Sequence, residues 1–387
     1  MHGLLPGHRI ILLRNGSEYF PALCAAIDAA RQSLYLESYI FANDRVGREI
    51  AARLAHARAR GVDVRVVVDA FGTRPYGTRE LAEQLERAGV LFVFYRQDLF
   101  PSALRRTRLR RLHRKIVVID GRIAFIGGIN LIDDMNTPGH TPPRVDFAVR
   151  VEGPLLGPVC QAVNRLWRIQ RLVAFGREPL PAWSLEAHTA QAGSTKAKLV
   201  VRDNFRYRRS IEIAYLAALR VAREDVIIAS AYFLPGRRFR RALLDARARG
   251  ARVRLLLQGR VEFWLLRHAS RALYGQLLAG GVEIIEYETS FLHAKVAVVD
   301  GDWATVGSSN IDPFSLLLAR EANVVVRDAG FASELRRELE TLADRGGRVV
   351  SPDRWNSRST LQRALEWFAY GAVRMLMGLF GVRYPRA

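Results

Sequence analysis

Lysine is nearly missing from this basic chain. Among 59 Lys+Arg only four are lysines: Lys115, Lys196, Lys198 and Lys295. Arginine fills almost every position where a generic positive charge suffices. A retained lysine therefore marks a place where a planar guanidinium fits badly and a compact, rotatable ammonium is wanted. Cysteine is equally scarce. Cys24 and Cys160 alone exclude a disulfide framework and a cysteine metal cluster, and they fit a reducing compartment. No metal-ligand spacing of the HExxH or CxxC kind occurs. No run of twenty apolar residues occurs either, so no spanning helix is expected, and MHGLLPGHRIILLRNG lacks the apolar core of a secretory signal. What remains is a globular composition, 49% hydrophobic and 25% charged over 387 residues, which suits two to three domains. Basic residues exceed the 38 acidic ones by 21. Such a field attracts polyanions, either nucleic acid or the anionic face of a membrane.

Two of the four lysines sit in a repeated pattern. LHRKIVVID at Leu112–Asp120 is matched by LHAKVAVVD at Leu292–Asp300. The alignment pairs His113 with His293, Lys115 with Lys295, Asp120 with Asp300, Gly127 with Gly307 and Asn130 with Asn310; histidine to asparagine is seventeen residues in both. Each copy reads as a buried strand, an Asp-Gly or Asp-containing turn and a second strand, a β-hairpin. The repetition extends upstream. FPALCAAIDAARQSLYLESYIF and IEIAYLAALRVAREDVIIASAYFLP both read as helix then strand, as do IAARLAHARARGVDVRVVVDAFG and RRALLDARARGARVRLLLQGR. Helices alternating with apolar strands indicate α/β architecture, a sheet flanked by helices. One α/β unit is thus built twice. The boundaries read as a first domain over 8–176, a polar, proline-bearing linker over 177–198, a second domain over 199–356 and an apolar tail over 357–387. Pseudo-two-fold symmetry and one shared active site between the halves follow as expectations.

Two imidazoles and two ammonium groups in one pocket suit an anionic substrate and repel a metal. The lysines, Asn130, Asn310 and the backbone amides of GGIN (Gly127, Gly128) and GSSN (Gly307, Ser308) are candidates to hold a phosphate. One histidine can attack phosphorus while the other protonates the leaving oxygen and then deprotonates an incoming alcohol. That is two-step phosphoryl transfer through a phosphohistidine, with no cofactor and no metal. Each histidine needs a partner on its second nitrogen. Asp146, 33 residues after His113, and Glu321, 28 after His293, are the candidates, each at the head of an apolar strand. Asp120 and Asp300 read as turn and framework residues.

The paired pattern H-x-K-x4-D-x6-G-[GS]-x-N resembles the phospholipase D superfamily, over about Arg14 to Asp328. LYLESYIF, FIGGINL, AYFLPG and GSSNIDPFSLLLAREAN are similar to the shorter bacterial cardiolipin synthases. The resemblance implies two tandem phospholipase D-like α/β domains and a catalytic set of His113, Lys115, Asp120, His293, Lys295 and Asp300. It implies His113 as nucleophile, His293 as general acid/base, and phosphate binding by Lys115, Lys295, Asn130 and Asn310. The implied reaction joins two phosphatidylglycerols into cardiolipin with release of glycerol. Departures touch the acceptor: GGIN replaces the commoner GSxN, and Phe314 and Ala319 stand where longer forms carry arginine and asparagine. Phosphatidylethanolamine is then an alternative donor. A hydrolase forming phosphatidic acid, a nuclease of the same superfamily and a silent lipid-binding scaffold are the competing readings. The apolar tail and the flanking likeness speak against a specific nucleic-acid partner, and both complete motifs speak against the scaffold. The sequence assigns no oligomeric state.

The tail Leu361–Pro385 is apolar with few charges. As a helix, Trp367–Val382 would span about 24 Å at 1.5 Å per residue, short of the about 30 Å of hydrocarbon in a bilayer. It reads as a helix lying in the headgroup zone or packed on the second domain. Arginine clusters at Leu104–Arg114, Arg206–Arg209 and Gly236–Arg241 add attraction to an anionic surface. The resulting expectation is peripheral association with the cytoplasmic side of the bacterial inner membrane.

Overall fold

The computed structural model describes residues 3–96, 111–173, 180–203, 207–260, 263–312 and 319–379. The first half runs β1 (Leu5–Arg14), α1 (Asn15–Asp28), β2 (Ser33–Ser38), α2 (Arg45–Ala59), β3 (Asp63–Asp69), α3 (Thr78–Arg87), β4 (Leu91–Tyr95), β5 (Arg111–Leu112), β6 (Lys115–Ile119), β7 (Ile123–Gly127), β8 (Arg144–Val145), β9 (Phe147–Glu152) and α4 (Leu156–Val173). The second half repeats it as β10 (Thr195–Arg202), α5 (Ser210–Val221), β11 (Asp225–Ser230), α6 (Arg237–Ala248), β12 (Arg252–Gln258), α7 (Trp264–Arg271), α8 (Tyr274–Ala279), β13 (Glu283–Tyr287), β14 (Phe291–Leu292), β15 (Lys295–Val299), β16 (Trp303–Gly307) and β17 (Ala319–Arg327). A helix Ala329–Gly346, the edge strand β18 (Gly347–Val349) and a final helix Thr360–Leu379 follow.

Local signals explain the elements. In α2 the Asp44 carboxylate caps the Gly47 amide at 2.9 Å, a standard N-cap bond. Val46, Ile50, Leu54 and Ala57 form its buried stripe, spaced as one helix face requires. Gly61 takes φ +92°, ending the helix in a conformation that glycine adopts without steric cost. The strands that follow, β3 and β12, are buried on both faces, as parallel strands covered by helices must be.

All of these strands except β8 and β14 belong to one sheet. Along its path the order is β18-β13-β12-β11-β15-β16-β17-β10-β1-β9-β7-β6-β2-β3-β4. Read outward from the antiparallel β1–β10 pair, the halves mirror each other: β1-β9-β7-β6-β2-β3-β4 against β10-β17-β16-β15-β11-β12-β13. α1, α2 and α3 cover the outer core of the first half, and α5, α6 and α8 that of the second. The inner faces share one core built from both halves, including Ile116, Phe147 and Trp167 with Val296, Val324 and Leu335. The α/β repeat expected from the sequence is therefore joined edge to edge and face to face.

The connecting segment differs from a loose tether. Its last residues, from Thr195, already belong to β10. Within 180–194, Trp183 stacks on Tyr35 with centroids 5.3 Å apart, Leu185 is buried, and the Pro181 carbonyl accepts from Trp167 Nε1 at 3.1 Å. The chain crosses as a strap bound to the first half. The tail helix packs on α7 through Ala369, Val373 and Met377, while Trp367, Phe368 and Met375 stay 57%, 71% and 64% exposed. Among the described residues no helix is long and apolar enough to cross a membrane. The arginine cluster before His113 lies outside the described residues up to 110, as do Arg206 and Phe314.

Candidate active site

The two motifs lie at the seam between the halves, and backbone hydrogen bonds hold them there. β5, the lead into His113, pairs in parallel with β17 of the second half: Arg111 faces Ala319 and Leu112 faces Arg320. β14, the lead into His293, pairs in parallel with β8 of the first half. The His113 amide donates to the Arg320 carbonyl at 3.0 Å, and the His293 amide donates to the Val145 carbonyl at 2.8 Å. In each case the acceptor immediately precedes an acid, Glu321 or Asp146. A third tie anchors each lead within its own half: Leu112 N–H to Asp69 Oδ2 at 2.8 Å, and Leu292 N–H to Gln258 Oε1 at 2.7 Å.

This stitching crosses the histidine–carboxylate pairs between halves. His113 Nδ1 lies 3.0 Å from Glu321 Oε1. His293 Nδ1 lies 2.6 Å from Asp146 Oδ2. Reading each acid with the histidine that precedes it in the sequence gives the wrong pairs; the acid comes from the opposite motif's half, because the sheet folds the two inner faces onto each other. Both carboxylates are fully buried, whereas the imidazoles keep 15% and 13% exposure. An Nδ1–H donated to carboxylate leaves each Nε2 as the lone-pair nitrogen. Lys295 Nζ is 2.9 Å from His293 Nδ1, but with that nitrogen's proton directed at Asp146 the ammonium acts as a neighbouring charge; it donates to the His293 carbonyl. Lys115 Nζ donates to the His113 carbonyl at 2.7 Å.

Burial is the largest influence on all four basic groups. It lowers His113, opposed by Glu321 and assisted by Lys115. It lowers His293 to about 3, with Lys295 assisting and Asp146 opposing. It brings Lys115 down to about 7 and Lys295 down to about 8. Burial alone would raise Asp146, yet Lys295 and His293 outweigh it and hold the acid below its ordinary value. The free site thus keeps neutral imidazoles beside ammonium groups close to losing their protons. An incoming phosphate dianion or diester reverses that tendency, since its charge favours every protonated form.

Other expected site residues have framework positions. Asp120 adopts φ +51° and Asp300 φ +49°, the left-handed region that aspartate tolerates better than most residues. The Asp120 carboxylate accepts from the amides of Arg31, Gln32 and Ser33 at 2.8–2.9 Å. Asp300 accepts likewise from Arg223, Glu224 and Asp225. Each locks the α1–β2 or α5–β11 junction to the hairpin, at the end of the strand remote from the histidine. The glycine stretch is also committed: Gly128 N–H donates to the Phe147 carbonyl at 2.9 Å and Ser308 N–H to the Ala322 carbonyl at 3.1 Å. These two amides are spent on the sheet and do not cradle a phosphate. A Cβ at Gly128 would collide with the Asp146 carboxylate, and one at Gly127 with the Ala148 backbone. The Ser308 hydroxyl donates to Glu321, so it orients the acid. Asn130 Oδ1 accepts from the Ile40 amide at 3.2 Å, leaving its NH2 as the donor group. Asn310 is buried.

Residues beyond the sequence reading surround the first motif. Tyr39 packs edge-on to His113, centroids 4.8 Å apart, and Lys115 Nζ lies 5.3 Å over its ring. Arg114, next to His113, forms a fully buried bidentate pair with Glu37 at 2.8 Å. In the second motif alanine occupies the Arg114 position. The Glu-Ser-Tyr of LYLESYIF carried these residues in plain view, but the partner of Glu37 is 77 positions away.

The described geometry agrees with the comparisons to known proteins. Residues 23–137 and 215–343 match the family described as "Cardiolipin synthase, PLD-like domain". Cardiolipin synthase B of Escherichia coli K12 is 42% identical over 345 residues, 86% of this chain and 80% of that protein. Cardiolipin synthase B of Salmonella typhi is 38% identical over 94% of this chain and 86% of its own length. The solved phosphatidylserine synthase of Haemophilus influenzae superposes with a TM-score of 0.68 over 96% of this chain and 95% of that one, at 14% identity, a likeness of fold. The chain belongs to the phospholipase D-like cardiolipin synthase family.

Proposed function

We propose that this protein is a phosphatidyltransferase that makes cardiolipin from two phosphatidylglycerols. His113 Nε2 attacks phosphorus, the bond from phosphorus to the headgroup glycerol oxygen breaks, and His293, which takes up a proton at Nε2 once the anionic phosphate is bound, delivers it to that oxygen, so that glycerol leaves. A hydroxyl of a second phosphatidylglycerol then gives its proton to His293 and attacks phosphorus, and the P–N bond to His113 breaks. Phosphate esters are conserved, so the balance needs no nucleotide. The observation that supports this reading is the crossed pair of histidine–carboxylate contacts, which leaves a free Nε2 on one histidine from each half, beside Lys115 and Lys295, whose charges act on one another. Lys115, Lys295 and the Asn130 amide are the candidate phosphate donors, with Asn310 as the corresponding residue of the second motif.

One observation favours exchanged histidine roles. Lys295 lies against His293 and outweighs Asp146 in favouring its neutral form, whereas on His113 Glu321 outweighs Lys115. A histidine held neutral is the better-prepared nucleophile. Family likeness supports His113, the local field His293.

The exposed apolar side of the tail helix and the net charge of +21 support peripheral binding to the cytoplasmic face of the bacterial inner membrane. The test is purified protein with phosphatidylglycerol vesicles and a chelator, products read by mass spectrometry. Cardiolipin plus glycerol is expected. Phosphatidic acid alone would make the protein a hydrolase. Unchanged lipid, also with phosphatidylethanolamine added, would reject the reading and turn attention to nucleic-acid diesters.

A further inference from the structure

A second cationic cavity lies between α4 of the first half and β10 and α5 of the second, lined by neither histidine. Its volume is about 560 Å³, within the about 300–1,000 Å³ of small-molecule sites. Six basic side chains line it, Arg114, Arg165, Arg168, Lys198, Arg202 and Arg320, against one acid, Asp203. Leu199, Val201, Ile213, Ala214 and Ala217 supply an apolar wall. Four of the cations are committed within the protein: Arg114 to Glu37, Arg165 to Asp203, Arg202 to the Arg208 carbonyl and Arg320 to the Tyr95 hydroxyl. The side chains of Lys198 and Arg168 make no ion pair or hydrogen bond among the described residues. Lys198 is also one of the four retained lysines, and the catalytic site does not use it.

The pseudo-two-fold counterpart shows what a closed version looks like. Between β1, α1 and the helix Ala329–Gly346, Arg14 bridges Glu18 at 2.6 Å and Glu338 at 2.7 Å. Among the described residues no ion pair joins α4 to α5. One side of the molecule is bridged by complementary charge; the other keeps a surplus of positive charge around an open volume beside an apolar wall.

We infer that this cavity binds an anionic phospholipid, with the phosphate against Lys198 and Arg168 and the acyl region along the Leu199–Ile213 wall. The charge surplus selects an anion, and the apolar wall, ending at the half-exposed Ile213, selects an amphiphile over free phosphate. The site is distinct from the reacting pocket but adjoins it through the chain: Arg114 follows His113 and Arg320 precedes Glu321. The inference holds whichever alcohol resolves the covalent intermediate.

The test is photolabelling of the whole protein with a short-chain phosphatidylglycerol bearing a diazirine in one acyl chain, with labelled peptides mapped by mass spectrometry. Labels are expected on the α4 and α5 peptides of wild type and of His113→Ala alike. They should fall at least tenfold in Lys198→Glu/Arg168→Glu and in the milder Lys198→Gln/Arg168→Gln, and also in Ile213→Trp, which fills the cavity. Unlabelled phosphatidylglycerol should compete and glycerol 3-phosphate at equal concentration should not. Labelling that ignores the charge changes, that is absent from α4 and α5, or that glycerol 3-phosphate displaces equally well would overturn the inference. Turnover on the same samples reads separately: no cardiolipin with intact labelling counts against the proposed function and leaves the cavity standing.

Discussion

The two halves share strand order, hairpin and ligand set, yet they treat their histidines differently. His113 rests on Glu321 at 3.0 Å, with the Ser308 hydroxyl fixing that acid and a buried Arg114–Glu37 pair alongside. His293 rests on Asp146 at 2.6 Å with Lys295 against it, and alanine replaces the arginine. Near-identical sequence motifs thus yield unequal surroundings, because each histidine takes its carboxylate from the other half and its remaining neighbours differ within its own. Duplication followed by folding face to face turns a symmetric pair of motifs into two histidines with distinct surroundings.

The strongest way to break the comparison is to remove either histidine. His113→Ala and His293→Ala should each lower turnover by about 10⁴-fold or more, as loss of a member of a coupled catalytic unit does; near-wild-type cardiolipin formation in either variant would dismiss the paired mechanism. Next come the acids. Asp146→Asn and Glu321→Gln should each cost about 10²–10⁴-fold in kcat, with Asp146→Asn the worse, since the buried Lys295 loses its counter-charge as well. Equal losses would mean that the two sides are energetically alike.

The pH profile sharpens the same contrast. Both imidazoles lie below the usual histidine range, so the acid limb of kcat/KM should fall below pH 6.5, where protonation removes the nucleophile. Lys115 titrates at about 7 and Lys295 at about 8; their cationic forms exist below those values and are lost as pH rises through them. Phosphate binding should therefore weaken between about pH 7 and 8. Lys115→Arg, with its charge fixed but its shape wrong, should flatten the first step of that limb. Activity level to pH 10 would show that the lysines stay charged.

Smaller effects are expected from the frame and the tail. Asp120→Ala and Asp300→Ala each strip three backbone amides of their acceptor, costing about 1–3 kcal/mol of stability, seen as a lower Tm with less than a tenfold change in kcat for folded protein. A Trp367→Ser/Phe368→Ser variant should bind anionic vesicles about tenfold less tightly, the loss of partial burial of two aromatics, and act normally on a soluble short-chain substrate.

Much of this was legible in the sequence, and what was not has a physical reason. Continuous apolar strands, the arginine-rich helix with its glycine stop and the repeated hairpin announced the duplicated α/β unit. Scarce lysine singled out Lys115 and Lys295. The crossing of the acids was hidden, because offsets of 33 and 28 residues locate Asp146 and Glu321 on strands without saying which half they face. The glycines looked like a phosphate cradle; their amides are consumed by β-pairing, and Gly128 serves to admit the Asp146 carboxylate. Ser308 looked like a phosphate donor, and its hydroxyl instead holds Glu321. The polar, proline-bearing linker gave no hint that Trp183 and Leu185 pin it to the first half.

The most direct test is to trap the covalent intermediate. Wild-type protein mixed with phosphatidylglycerol would be quenched within a turnover and digested, and the peptides read by mass spectrometry. A phosphatidyl adduct on His113 is expected to form within the first turnover and to vanish as phosphatidylglycerol is exhausted, with cardiolipin appearing in step; an adduct on His293 would exchange the two roles within the same chemistry. Cardiolipin formed with no adduct on either histidine would contradict the two-step mechanism.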